Sequence, residues 1–270
     1  MNNGSYRINK ALRFLLRRPG KTLHLAVNIM GRRKKCYICG KTFSHFKKYK
    51  RGSRDVSEFL KMMKCTGSDV ENFGCMYCGS MDRERHLFMF FDKLGIWDLM
   101  QGGSVLHFAP EAFLNKKIKS VAGSYVMADL NPGSREVQKI DVCRIPFGDN
   151  TFDFVICNHV LEHVTDYKKG ISEIFRVLKP SGTAILQTPY STLLTRHFCE
   201  ENLNTDELRS YFYGEADHLR LFSRDQLFGE FESAGFMLQI VSSGSLFSPD
   251  ISAYYGVNHQ EELVRMKKLN

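Results

Sequence analysis

The sequence predicts an α/β chain: an open, mostly parallel sheet with helices on both faces, preceded by a small module closed by four cysteines. Three observations carry this expectation. From residue 102 onward, short apolar runs alternate with amphipathic segments, the pattern of parallel strands joined by crossover helices. The form Cys-x-x-Cys-Gly occurs twice, at 36–40 and at 75–79. Charge is divided along the chain: residues 1–64 hold 18 Lys/Arg and only two acids, Asp55 and Glu58, although the 270 residues together carry a net charge of +9.

Taken in order, residues 1–35 form a basic arm. Within it, 8–30 read as one or two short amphipathic helices broken at Pro19-Gly20, and Arg32-Arg33-Lys34-Lys35 leads into the first cysteine pair. Residues 36–82 form the cysteine module, polar between the pairs, with a short helix at 56–64. A linker helix within 83–101 carries Leu87, Phe88, Phe90, Phe91 and Leu94, with Trp97 and Leu99 closing its packing. The domain 102–270 opens with a strand at 104–108, a helix at 111–119 and a strand at 125–128 ending on Asp129. A further strand spans 152–157. A helix at 167–178 places Ile171, Ile174, Phe175 and Leu178 on one face and stops at Lys179-Pro180-Ser181-Gly182. Another strand follows at 183–188, and 191–215 reads as an insertion. Ser223-Arg224-Asp225-Gln226 is a capping box that opens a helix to 233, before a late strand at 237–241.

Hydrophobic residues make up 43% of the chain, enough for a sizeable core and against global disorder. The apolar stretches near the start fall short of the ~20 residues that a membrane span needs, and no small-residue cleavage site follows them. Eight cysteines without a secretory signal point to a reducing compartment, the cytoplasm, where paired cysteines hold metal more often than disulfides.

Two residues between thiolates let one tight turn present both sulfurs to a single ion, and the following glycine relieves the backbone. Cys36, Cys39, Cys75 and Cys78 therefore form a four-thiolate set suited to zinc. Four protein ligands leave no open position, so the ion would be structural. Buried apolar cysteine pairs or a redox dithiol are the competing readings, and His45 or Cys65 could replace a ligand. Cys143, Cys157 and Cys199 read as core or incidental.

From Val105 to Val241 the chain resembles the class I S-adenosylmethionine-dependent methyltransferases of the broad group that includes quinone-biosynthesis methylases. Three ordered motifs carry the resemblance: Ile145-Pro146-Phe147-Gly148-Asp149-Asn150-Thr151-Phe152-Asp153-Phe154-Val155; Val160-Leu161-Glu162-His163-Val164; and Arg176-Val177-Leu178-Lys179-Pro180-Ser181-Gly182. It implies a Rossmann-like methyltransferase sheet with S-adenosylmethionine beyond the carboxyl ends of the strands. Asp129 and neighbouring Leu130 would border the ribose, although Asp129 also suits a turn before Asn131-Pro132-Gly133. Asp141 matches the residue that accepts from the adenine amino group, Val142 would touch the ring, and Asn158 and His159 would line the methionine side. The chain departs from the family at the first loop. There His107-Phe108-Ala109-Pro110-Glu111 replaces the usual acid-x-Gly-x-Gly, with Ala109 at the first glycine place and Glu111 near the second. His107, Ala109 and Glu111 are accordingly candidate cofactor contacts. A similar strand end occurs in methyltransferase-like proteins that carry a zinc knuckle.

Methyl transfer is an in-line displacement that needs alignment, and a base when the nucleophile is a hydroxyl. Candidate bases are His218, with Asp217 to orient it, His159 and His163; Asp217-His218 reads equally as a loop-to-helix lead-in. His159, Glu162 and His163 can share a helical face, either to cap and pack or to hold a divalent ion, as this segment does in some quinone O-methyltransferases. Three acceptor hypotheses follow. One is a small-molecule or glycan substrate, with the insertion as a lid and the basic arm meeting a phosphorylated carrier or a membrane surface, peripherally. The second is RNA, gripped through phosphate by the basic zinc-containing segment. The third is a non-catalytic binding protein with a degenerate cofactor pocket.

Overall fold

The computed structural model describes residues 33–269; the expected helices of 8–30 and most of the basic arm lie outside them. Antiparallel β1 (Lys34–Lys35) and β2 (Thr42–Phe43) frame the first cysteine turn. Helix α1 (Glu58–Met62) begins where Ser57 Oγ accepts from the Leu60 N–H, an N-cap that satisfies one of the free amides of the first turn. Two helices follow the second cysteine turn, α2 (Asp82–Lys93) and α3 (Ile96–Met100).

The sheet domain then runs β3 (Ser104–Phe108), α4 (Ala112–Val121), β4 (Ser124–Asp129), β5 (Gln138–Lys139), β6 (Phe152–Cys157), α5 (Tyr167–Val177), β7 (Leu178–Ile185) and β8 (Tyr190–Ser191). It continues with α6 (Asp206–Tyr213), β9 (Phe222–Ser223), α7 (Arg224–Ser233), β10 (Phe236–Ser242), α8 (Ser243–Leu246), α9 (Pro249–Tyr255) and β11 (Glu262–Lys268). Seven strands form one sheet in the order β10-β11-β7-β6-β3-β4-β5, with β11 antiparallel to both of its neighbours. The chain crosses over between β3 and β6, which pair in parallel at the centre. That reversal is the topological switch point, where open α/β sheets bind ligands beyond the strand ends.

Successive strand residues face opposite layers, and the core divides accordingly. Leu106, Phe108, Val155 and Cys157 pack with Ile171 and Ile174 of α5 and Leu227 and Phe231 of α7. Val105, Phe154 and Ile156 pack with Phe90 and Phe91 of α2, Met100 of α3, and Leu114 and Ile118 of α4. The segment expected as a linker helix is thus part of one covering layer. Strand β7 differs from expectation at both ends: it starts at Leu178 and stops at Ile185. Phe152 pairs with Leu178 but Phe154 with Thr183, so Lys179-Pro180-Ser181-Gly182 is a bulge within the strand, not a loop before it. Strand β11 was not expected, because Glu262, Arg265 and Lys267 interrupt its apolar residues.

The cysteine module is fastened to the body by Arg85 on α2, a fully buried side chain. Its guanidinium donates to the carbonyls of Ser80 at 2.7 Å, Phe73 at 3.3 Å, Gly256 at 2.7 Å, Tyr255 at 3.1 Å and Asn72. Five donors meet five acceptors, so the buried charge is fully hydrogen-bonded. Its face lies 4.0 Å from the centre of the Phe46 ring. Gly256 has φ +62°, and a Cβ there would strike that ring at 2.3 Å, which explains glycine at the end of α9. Among the described residues no helix is long and apolar enough to cross a membrane.

Candidate functional site

The two cysteine turns have the same construction. In each, the glycine N–H returns to the carbonyl of the first cysteine, Gly40 to Cys36 at 3.0 Å and Gly79 to Cys75 at 3.1 Å. Both glycines have positive φ, +70° and +81°. The four sulfurs lie within 4.8 Å of one another, with Cys36 to Cys78 at 3.7 Å and Cys39 to Cys75 at 3.8 Å. Zn–S bonds of about 2.3 Å in a tetrahedron place sulfurs ~3.8 Å apart, so the set is sized for zinc. His45 and Cys65 are outside this cluster: His45 Nδ1 contacts Ser44 Oγ at 2.8 Å, and Cys65 lies beside Ser191. Cys157 is core; Cys143 and Cys199 donate to backbone carbonyls.

At the switch point, β3 is followed by Ala109, which has φ +46°. This left-handed conformation favours glycine and costs an alanine roughly 1–2 kcal/mol; the chain thus keeps the glycine backbone without the glycine. His107 corrects an expectation. It is completely buried, its Nε2 donates to Glu111 Oε2 at 2.6 Å, and its Nδ1 meets the Tyr125 hydroxyl at 2.8 Å. Both nitrogens are occupied, so the His107 side chain supports the loop and has no donor or acceptor left for a cofactor. Glu111 Oε1 accepts from Asn158 Nδ2 at 3.3 Å, and Asn158 Oδ1 accepts from the Gln187 N–H at 3.1 Å. Burial works to raise the Glu111 pKa, but the His107 hydrogen bond and charge, with help from Asn158, hold it below the ordinary carboxylate value. Glu111 and Asn158 therefore tie the β3 and β6 ends together.

Asp129 ends β4 and its Oδ1 accepts from the Asn131 N–H at 2.8 Å, so it does start a turn. Its second oxygen has no hydrogen-bond partner among the described residues. Leu130 beside it is 55% exposed. Asp141 is exposed, and its Oδ1 accepts from the Cys143 N–H at 2.8 Å. Val142 is buried against Gly170 and faces the core, not a ring in the crevice.

The end of β6 opens on the other side. His159 has φ +53° and its Nδ1 stands 3.4 Å from Glu162 Oε1. Glu162 is fully buried; Oε2 accepts from the Thr188 hydroxyl at 2.8 Å, while Oε1 has no hydrogen-bond partner. Burial alone would raise its pKa, but His159 and the charge of His218 hold it down at about 2. His218 Nδ1 lies 2.9 Å from the Tyr213 carbonyl. A carbonyl only accepts, so Nδ1 donates there and Nε2 stays outside that bond. Asp217 does not orient His218, as had been expected. Its carboxylate sits 3.3 Å from His163 Nδ1. Ligand atoms of Glu162, His163 and His218 all lie within 4.8 Å of one another, the spacing of a cation site.

Sequence reasoning missed Arg220, whose guanidinium donates to the carbonyls of Leu161 at 3.1 Å and Thr165 at 3.0 Å and to that of Val164. It anchors the Glu162-His163 turn to the segment after the insertion. It also missed what covers the site. His159, Glu162, His163 and His218 line a cavity of about 700 Å³ whose other walls are the module segment from Tyr49 to Phe73 and the end of α6. These walls are joined by Tyr49 OH to Glu215 at 2.8 Å and Ser57 Oγ to the Tyr211 carbonyl at 2.6 Å. The Thr66 N–H reaches the Tyr190 carbonyl at 2.8 Å.

Residues 111–186 match the family described as methyltransferase domain. Over 94 residues the chain is 35% identical to a demethylmenaquinone methyltransferase of Corynebacterium urealyticum, covering 32% of this chain and 41% of that protein. Over 46 residues it is 50% identical to an uncharacterised protein of Methanocaldococcus jannaschii, covering 17% and 20%. The aligned stretches thus span less than half of those relatives. An S-adenosylmethionine-dependent methyltransferase structure from Mesorhizobium loti is similar with a TM-score of 0.48 at 13% identity, over 66% of this chain and 97% of that one.

Proposed function

We propose that the protein transfers a methyl group from S-adenosylmethionine to a small-molecule or glycan acceptor held in the 700 Å³ cavity, and that its four clustered cysteines hold one structural zinc. The observation that carries the first part is a coincidence of place. The segment matching methyltransferase domains, 111–186, contributes the ends of β4, β5 and β6 at the switch point. The residues there fit the cofactor. Asp129 keeps one carboxylate oxygen for a ribose hydroxyl, Leu130 offers exposed apolar surface, and Ala109 takes the glycine conformation. When bound, S-adenosylmethionine supplies an electrophilic methyl group on a sulfonium.

The chain's own residues then align the acceptor and handle its proton. His218 Nε2 takes the proton of an acceptor hydroxyl, and ionised Glu162 stabilises the imidazolium that results. The cavity volume is that of a small-molecule site, which supports such an acceptor over RNA. The basic segment 47–64 borders the cavity through Lys50, Lys61 and Lys64, so the arm before it would meet an anionic carrier or membrane surface.

Labelled S-adenosylmethionine incubated with cell extract tests this. The expected label enters a low-mass acceptor and falls about 100-fold or more in Asp129→Ala and His218→Ala. Label found only in RNA would replace the acceptor assignment, and no transfer to any fraction would contradict it. The zinc assignment predicts one zinc per chain by elemental analysis, lost in Cys36→Ser and Cys78→Ser.

A further inference from the structure

Arg83 is a cation of the cavity wall that the mechanism above does not use. It is the second residue of α2 and is half-buried. Its Nε is buried without a hydrogen-bond partner, and among the described residues its guanidinium makes no hydrogen bond and no ion pair. The contrast with Arg85, two positions on, is direct: that side chain places all five donors on backbone carbonyls. Nor does the neighbouring carboxylate neutralise Arg83 by contact. Glu84 Oε2 accepts from the Met81 N–H at 3.0 Å and Oε1 from the Phe113 N–H at 3.3 Å.

The acids of the cavity wall each have a partner other than Arg83, although Glu162 keeps Oε1 without a hydrogen bond. Glu215 is bound by Tyr49 and Lys50, Asp55 by Arg51, Asp217 by His163, and Glu162 by Thr188. Burying Nε without replacing its hydrogen bond is costly, while the other donors of the fork stay unpaired at the cavity wall. An arginine kept in that state at a cavity wall is shaped for a ligand. Its planar fork matches the two oxygens of a carboxylate or phosphate.

We propose that Arg83 is the receptor for an oxyanion that enters this cavity with a ligand. The inference rests on the cofactor and acceptor reading above for the two sources of such a group. One is the methionine carboxylate of the methyl donor. The other is a carboxylate or phosphate on the acceptor, with exposed Lys64 at the cavity wall as a second positive charge.

Calorimetry on the full chain separates these. Arg83→Gln removes the charge at similar size, Arg83→Lys retains it, and the thermal midpoint of each variant establishes folding. Three probes are used: S-adenosylhomocysteine; 5′-methylthioadenosine, which lacks the amino-acid head; and benzoate or inorganic phosphate added to the protein saturated with the nucleoside. Loss of a charge-assisted bidentate contact weakens binding by about 10- to 100-fold. If Arg83→Gln weakens S-adenosylhomocysteine to that extent and leaves 5′-methylthioadenosine unchanged, the oxyanion is the donor's. If both nucleosides bind Arg83→Gln as they bind the parent, while benzoate or phosphate binding is lost in Arg83→Gln and retained in Arg83→Lys, it is the acceptor's. Unchanged binding of all probes to folded Arg83→Gln overturns the proposal. Failure of the parent to bind either nucleoside removes the cofactor reading instead, and benzoate or phosphate binding to the nucleoside-free protein then decides the role of Arg83.

Discussion

Two buried carboxylates meet histidine in this molecule, one at the end of β3 and one just beyond β6, and they are held differently. Glu111 has both oxygens bonded, to His107 and Asn158, and is buried. Glu162 has one oxygen bonded and one without a hydrogen bond, beside three histidines on a cavity wall. Both are ionised, because histidine offsets the burial penalty in each case. A buried charge with every partner in place serves the fold. One with an unused acceptor aimed at a cavity is set up for a ligand or a proton.

That comparison can be broken most directly at His107. Replacing it with leucine leaves Glu111 buried and charged without its hydrogen-bonding histidine, a change expected to cost about 3–5 kcal/mol of stability. The loss should appear as a large fall in the denaturant midpoint. A His218→Leu variant, by contrast, should lose far less stability and most of its methyl transfer. Equal destabilisation by the two substitutions would contradict the division between a sealed and an open site.

A third carboxylate sharpens the point. Asp82 is buried with Oδ1 unpaired, and burial, then the charge of Glu261, pushes its pKa up to about 7 from an ordinary 3.8. Because the folded value lies above the unfolded one, the folded state binds more protons across that interval, and stability falls as pH rises from about 4 to 7. Three units correspond to roughly 4 kcal/mol as an upper bound. Asp82→Asn should therefore match the parent near pH 4 and exceed it in thermal midpoint at pH 8. A gap between the two that does not change with pH would be inconsistent with a protonated Asp82.

Glu162→Gln probes the open site. It should alter stability by about 1 kcal/mol, while lowering kcat about 100-fold, roughly 2.7 kcal/mol in the barrier. A loss confined to KM would make Glu162 a binding group only. The smallest expected effect is at the strand end: Ala109→Gly should stabilise by roughly 0.5–1 kcal/mol, through relief of the positive φ set against a more flexible unfolded chain.

How much of this was legible in the sequence follows from range. The strands at 104–108, 124–129 and 152–157 are short, mostly apolar runs between turn residues, so local pattern reveals them. The cysteine turns are equally local, since two residues and a glycine define their geometry. Asp129 was expected at the site because it ends a strand, and strand ends mark the crevice, whereas Asp141 and Asn158 were expected there only from the family motifs. What failed involved contacts distant in the chain. Arg85 sits in Arg83-Glu84-Arg85-His86, which reads as a solvated surface, yet its partners reach to residue 256. His107 resembles a polar residue poised at a site until Tyr125 and Glu111 are seen on its two nitrogens. The insertion was expected as a lid, but the cysteine module's share of the cavity wall depends on contacts such as Tyr49 to Glu215, 166 positions apart, which no periodicity encodes.

The central claim is that the crevice between β3, β4 and β6 binds an adenosyl cofactor through Asp129. Calorimetric titration of the full chain with S-adenosylhomocysteine tests it most directly. The account predicts one site per chain, with affinity reduced about 10-fold or more in Asp129→Ala and little changed in Asp225→Ala, an exposed acid of α7 far along the chain. Absence of binding to the folded parent protein, or binding that is unaffected by Asp129→Ala, would contradict it.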